Sequence, residues 1–194
     1  MKYEPVDTDL PGQIIIVRKS KSSFRESPLF QVGLGGVLLF GIGASMHFVY
    51  EFSGCNIIAA VFCAVNESVY EHIKIMLFPI LAWWALQAPW DGGLSLSSGT
   101  AAMYTALLLL LIGNACLSEA ESLEADITVF GACIYAGQAA GAYARFKRIM
   151  VPCYQIFLLL VVVMLFTCTF IPPRLPYIFE DHRNHTYGRP EACP

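Results

Sequence analysis

The chain is 194 residues long and 56% hydrophobic, with 14% charged residues and a mean hydropathy of +0.57. Soluble domains carry about 25% charged residues, so this shortfall excludes a molecule whose whole surface faces water. The formal net charge of -3, without any basic stripe interleaved with aromatics, excludes a nucleic-acid partner. The lipid bilayer is the expected partner.

In chain order, residues 1–28 are polar and hold Pro5, Pro11, Pro28 and a short Ile14-Ile15-Ile16-Val17 run. That run is too short for a signal-peptide core, and no small-residue cleavage site follows it. The segment is expected to be a cytoplasmic polar tail. A helix needs about 20 apolar residues to cross the hydrocarbon core. Leu29 to Tyr50 meets this and is read as an uncleaved anchor. Gly54 to Trp90 is apolar, then polar from Asn66 to Lys74, then apolar again with Pro79 inside. Its first arm is too short to span alone. A re-entrant arm from Gly54 would carry the polar motif inward by about 18 Å over roughly 12 residues at about 1.5 Å each. Gly99 to Leu117, Ala125 to Ala144 and Val151 to Ile171 follow as further spans, and Pro172-Pro173 stop the last. The expected fold is an all-α polytopic transmembrane bundle over 29–171, with one broken or re-entrant helix at 54–90 and a tail at 172–194.

Charge sets the count. Short loops rich in Lys and Arg stay in the cytoplasm. Arg18, Lys19, Lys21 and Arg25 precede the first span, and Arg145, Lys147 and Arg148 follow the Ala125 span. The segment from Ser118 to Asp126 carries Glu119, Glu121, Glu124 and Asp126 and nothing basic. Both basic clusters face one side only if 54–90 contributes one net crossing. The total is then five, with the N-terminus cytoplasmic and the C-terminal tail lumenal or extracellular. The Asn184-His185-Thr186 sequon in that tail agrees with this placement.

Seven cysteines without a Cys-x-x-Cys pair give no zinc-ribbon or redox motif. Cys63, Cys133, Cys153 and Cys168 lie in apolar runs, where cysteine behaves as a small hydrophobe. A bridge could form among Cys55, Cys116 and Cys193 on the outer face. Small residues mark close helix contacts in lipid. Gly137 and Gly141 form such a ridge, used either within the chain or toward a homo-oligomer or membrane-complex partner. Gly33, Gly36, Gly41, Gly43 and Ala44 thin the first span. Trp83, Trp84 and Trp90 read as an aromatic belt.

Chemistry concentrates in Asn66-Glu67-Ser68-Val69-Tyr70-Glu71-His72-Ile73-Lys74. Ionisable groups inside a membrane segment cost at least about 2.5–3.5 kcal/mol each, so they need a partner or a purpose. Were the whole motif helical, Glu67, Glu71 and Lys74 would share a face, with Ser68 one turn before His72. His47 and Glu51 lie one turn apart in the first span. His47, Glu67, Glu71 and His72 could ligate a divalent metal through imidazole and carboxylate, with Glu67 or Glu71 as general base of a hydrolytic centre. They could equally form an ion or proton pathway. The plainer reading pairs Glu67 or Glu71 with Lys74 in an interfacial helix at the cytoplasmic edge. A non-enzymatic subunit or assembly factor is a further reading. Asp181, with His182 and His185, could add ligands from the tail.

The nine-residue motif resembles the Asn-Glu-Ser-x-Trp-Glu-His-x-Lys signature of a family of small prokaryotic membrane proteins of unknown function, with Tyr70 in place of Trp. The likeness extends to His47-Phe48-x-Tyr50-Glu51-Phe52-Ser53 and to Pro172-Pro173, Phe179, Asp181 and Tyr187-Gly188, covering roughly 29–188. It implies the same fold and brings no activity.

Overall fold

The computed structural model describes residues 3–6, 15–18, 27–91, 93–117, 123–181 and 184–189. Glu119, Glu121, His182 and Cys193, with Lys19, Lys21 and Arg25, lie outside the described residues. Apart from a two-stranded antiparallel pair, Tyr3–Val6 with Ile15–Arg18, the described elements are helical.

A wide turn at Leu29–Leu34 runs into α1 (Gly35–Phe52). Then come α2 (Ile57–Phe62), α3 (Val69–Ala85) and a short turn at Ala88–Trp90. The rest is α4 (Leu94–Leu117), α5 (Leu123–Phe146), α6 (Tyr154–Phe170) and a single turn, α7 (Pro176–Phe179). Leu29–Phe52, Val69–Trp90 and Leu94–Cys116 are long and apolar enough to cross a membrane, and Tyr154–Phe170 is apolar but shorter.

Side-chain contacts define the two ends of the bundle. At the Tyr50 end, the Tyr70 hydroxyl donates to the Leu165 carbonyl at 2.6 Å and its ring stacks on Phe179. There too, the Arg189 Nε donates to the Tyr50 hydroxyl. At the Arg145 end, Arg145 pairs with Asp91 at 3.1 Å and donates to Gln87, while Gln87 and Trp83 both bond Gln31. α1 runs from the Arg145 end to the Tyr50 end and α3 returns. α4 goes out, α5 returns and α6 goes out again. The described helices thus run the length of the bundle five times, with one net passage between residues 54 and 90.

The break in that second passage differs from the expected depth. α2 is six residues long, about 9 Å at 1.5 Å per residue, half the re-entry that the apolar run suggested. Gly54 (φ +67°) and Cys55 (φ +58°) turn the chain at the end of α1, and the Asn56 side chain accepts from the Ile58 N–H to start α2. α3 is the central helix: 61% of its apolar window is buried, against 22% for Leu29–Phe52.

Small residues let the helices meet. A Cβ on Gly141 would lie 2.7 Å from the Trp84 ring and 2.9 Å from the Ser98 carbonyl, and one on Gly137 would lie 2.7 Å from the Ala102 carbonyl. The Gly137–Gly141 ridge therefore closes on α4 inside the chain. Trp84 fills the space between Gly99 and Gly141 and is fully buried, so it belongs to the core and not to an aromatic belt. Trp90 is exposed, and Trp83 stacks on Phe30.

Candidate metal centre

α3 begins at Val69, with Ser68 as its cap, and this start decides where the polar residues point. Glu67 precedes the helix and does not share a face with Glu71. The two acids go separate ways.

Glu71 turns into the break between α2 and α3. Its Oε2 lies 2.6 Å from the Lys74 Nζ and accepts from the Val65 N–H at 3.0 Å, while Lys74 also donates to the Ala60 carbonyl at 2.8 Å. Ala60 lies in the last turn of α2 and Val65 lies in the break, so these are backbone groups a terminated helix leaves without partners. Lipid offers them none. The ion pair closes the hinge and leaves Glu71 and Lys74 buried and mutually committed.

Glu67 turns toward α1. Its Oε1 lies 3.1 Å from His47 Nε2, and His47 and His72 face each other with ring centroids 5.5 Å apart. One ligand atom from each of His47, Glu67 and His72 lies within 4.8 Å of the others. All three residues are partly buried. His72 Nδ1 sits 3.0 Å from the Ser68 carbonyl. A carbonyl only accepts, so Nδ1 carries the proton and Nε2 offers its lone pair. A backbone carbonyl holding one imidazole nitrogen while the other binds is the usual support of a ligating histidine.

The remaining motif residues brace this arrangement. Asn66 Oδ1 accepts from the Ser68 N–H and its amide donates to the Gly188 carbonyl, tying the motif to the C-terminal tail. Ser68 caps α3 by accepting from the Glu71 N–H. Asp181 is buried in a turn of the tail, with its backbone bonded to Thr186 and its carboxylate to Asn184. It is not part of the three-residue cluster, and His185 pairs with Glu180 on the surface.

The tail, the motif and the end of α1 thus form one continuous stretch of contacts. Residues 29–189 match the model of a family of unknown function, DUF6512. The chain belongs to that family. No curated protein and no solved structure matches it. The match to DUF6512 begins where the first long apolar helix begins and ends at the arginine that reaches Tyr50, so every residue of the cluster lies inside it.

A second polar cluster, at the Arg145 end, escaped the sequence reading. Gln31, Gln87, Asp91, Ser95 and Arg145 interlock there, with Arg145 Nη1 donating to Ser95 at 2.6 Å and the Ser95 hydroxyl bonded to Asp91. Its members are up to 114 positions apart, so no local pattern marks them. The available signal is a glutamine (Gln31) inside an otherwise apolar run.

Proposed function

We propose that this chain is a multi-pass membrane protein that binds a divalent transition-metal ion through His47, Glu67 and His72. The observation that carries the proposal is the convergence of two imidazoles and a carboxylate within 4.8 Å, from α1, α3 and the segment just before α3. Two ligands of a tetrahedral zinc ion, each at about 2.1 Å, lie about 3.4 Å apart. Closing the widest pair by up to about 1.4 Å, shared between two side chains, seats all three on one ion. Mixed nitrogen and oxygen donors suit Zn²⁺ and its neighbours over Ca²⁺ or Mg²⁺.

The reading places five crossings in the bilayer, with the Arg145 end cytoplasmic. Arg145, Lys147 and Arg148 gather there. Cys55, at the opposite end, is disulfide-bonded, and disulfides persist in extracytoplasmic compartments. The metal site then faces the extracytoplasmic side. That is the opposite edge from the one expected of a plain interfacial helix beside the basic residues.

Glu71, a sequence candidate for ligand and base, takes no part in this reading, because Lys74 and the Val65 N–H hold it. Three protein ligands leave a coordination position open. Hydrolysis on zinc needs a water there, so a hydrolytic activity turns on what occupies that position.

The test is elemental analysis of protein purified in mild detergent. We expect about one zinc-class ion per chain, lost in His72→Ala and Glu67→Gln while both variants keep the wild-type elution profile. Wild-type protein that takes up no stoichiometric divalent metal from zinc-, manganese- or iron-supplemented buffer overturns the reading.

A further inference from the structure

On the inner side of the Arg145 cluster lies a second set of buried polar atoms. Trp84 Nε1, Ser98 Oγ, Arg145 Nε and both amide atoms of Gln138 make no hydrogen bond to protein among the described residues. Trp84, Ser98 and Gln138 are fully buried, and Arg145 is 7% exposed. A buried donor or acceptor left bare costs its full desolvation, and lipid offers it nothing. Native interiors pair nearly all of theirs, yet here four residues on three helices carry five such atoms.

Gly141 marks where three of these residues meet. A Cβ there would lie 2.7 Å from Trp84 Cζ2 and 2.9 Å from the Ser98 carbonyl. Cζ2 and Nε1 are bonded to the same ring carbon, so the indole N–H lies at this level. Arg145, one turn onward along α5, holds its guanidinium carbon 6.0 Å from the centre of the Trp84 ring. Gln138 lies one turn back on the same face of α5. The set thus follows α5 inward from the Arg145–Asp91 pair over about 10 Å, seven residues at about 1.5 Å each.

The chemistry of the set defines its ligand. Trp84 Nε1 and Arg145 Nε only donate, and Gln138 Oε1 only accepts. Whatever serves them must do both. An anion cannot donate, and Asp91 at 3.1 Å already matches the Arg145 charge. A Cβ on Gly137 would lie 2.7 Å from the Ala102 carbonyl, so α4 and α5 stand too close for a larger solute. Water donates and accepts, and buried water typically makes about three hydrogen bonds to polar groups that otherwise lack partners. We infer that internal water molecules are bound between α3, α4 and α5, on Trp84, Ser98, Gln138 and Arg145. Deeper in the bundle, Leu77, Ile80, Met103 and Ile134 are buried and apolar. The water therefore ends at Gln138, short of the Glu71–Lys74 pair, in a closed pocket and not a pathway across the bundle. This inference is independent of the metal reading.

The test exposes full-length protein in mild detergent to hydroxyl radicals made by a short X-ray pulse. Radicals formed from bound water oxidise the side chains touching it, and peptide mass locates them. Met76 is the control, since a thioether is at least as readily oxidised as an indole. It is as fully buried as Trp84 and lies two turns deeper on α3. Oxidation at Trp84 and none at Met76 is the expected result. The Trp84 signal should be lost in a Ser98→Ala, Gln138→Met double variant, which removes three of the five atoms. Trp84 as unreactive as Met76 in the wild type overturns the inference. Equal oxidation of both also overturns it, because solvent would then enter the apolar core. The wild-type contrast decides the matter even where the double variant does not fold, and a folded double variant with undiminished Trp84 oxidation overturns the assignment to these residues.

Discussion

At the scale of single residues, the motif divides its work between two acids four positions apart. Glu71 and Lys74 are nearly inaccessible and satisfy peptide groups that the broken helix exposes. Removing one partner of a buried pair leaves an uncompensated charge, at about 3–5 kcal/mol, while replacing both with apolar residues is often close to neutral. Glu71→Gln is therefore expected to lower unfolding stability in detergent by about 3–5 kcal/mol. Adding Lys74→Met should restore most of that loss, since the two effects are coupled. Zinc content should be unchanged in the double variant, which separates the hinge from the metal cluster. Equal losses that simply add would show that Glu71 and Lys74 do not act as a pair.

The same residues show what was legible before the fold was known. That Glu67, Glu71, His72 and Lys74 need partners follows from lipid alone. Which partner each takes does not, because the assignment depends on where α3 begins. With Ser68 as cap, Glu67 falls outside the helix and reaches across to His47, while Glu71 stays in the first turn and reaches back to Val65. A start two residues earlier would have put both acids on one face. His47 was visible as an intramembrane histidine, but its meeting with His72 is a contact between helices.

At the scale of elements, the spans at Leu29–Phe52 and Leu94–Cys116 were legible because about 20 apolar residues in a row have few other uses. α2 was not, since six apolar residues bounded by polar ones fit several structures. Glycine roles were also ambiguous. Gly41 and Gly141 look alike in sequence, yet nothing lies within 4 Å of a Cβ on Gly41, while one on Gly141 would press on the Trp84 ring and the Ser98 carbonyl. A backbone carbonyl cannot step aside as a flexible side chain can. Gly141→Val is expected to destabilise the bundle by at least about 1–3 kcal/mol through overpacking. Gly41→Ala should be neutral or stabilising by up to about 1 kcal/mol, as alanine replaces glycine within a helix. Unfolding of both variants in one detergent series measures the contrast. Equal sensitivity at the two positions would mean that α5 does not pack on α3 and α4 as described.

At the scale of the whole molecule, five passages through the bundle carry a consequence for access. Cys116 is free and exposed near the Tyr50 end of α4, and Cys153 is free and exposed just before α6 at the Arg145 end. α5 lies between them in the chain. If α5 crosses the bilayer, the two thiols face opposite compartments. The basic residues at 145, 147 and 148 favour retention in the cytoplasm, so the proposed topology predicts Cys153 inside and Cys116 outside. A membrane-impermeant maleimide applied to sealed cells should modify Cys116, and should reach Cys153 only after lysis, with the labelled cysteine identified by peptide mass. Labelling of both in sealed cells would remove α5 as a crossing, and with it the count of five. Labelling of Cys153 alone would invert the protein and turn the His47–Glu67–His72 cluster toward the cytoplasm, where the metal would be drawn from a buffered pool and the Cys55 disulfide would have no oxidising surroundings to maintain it.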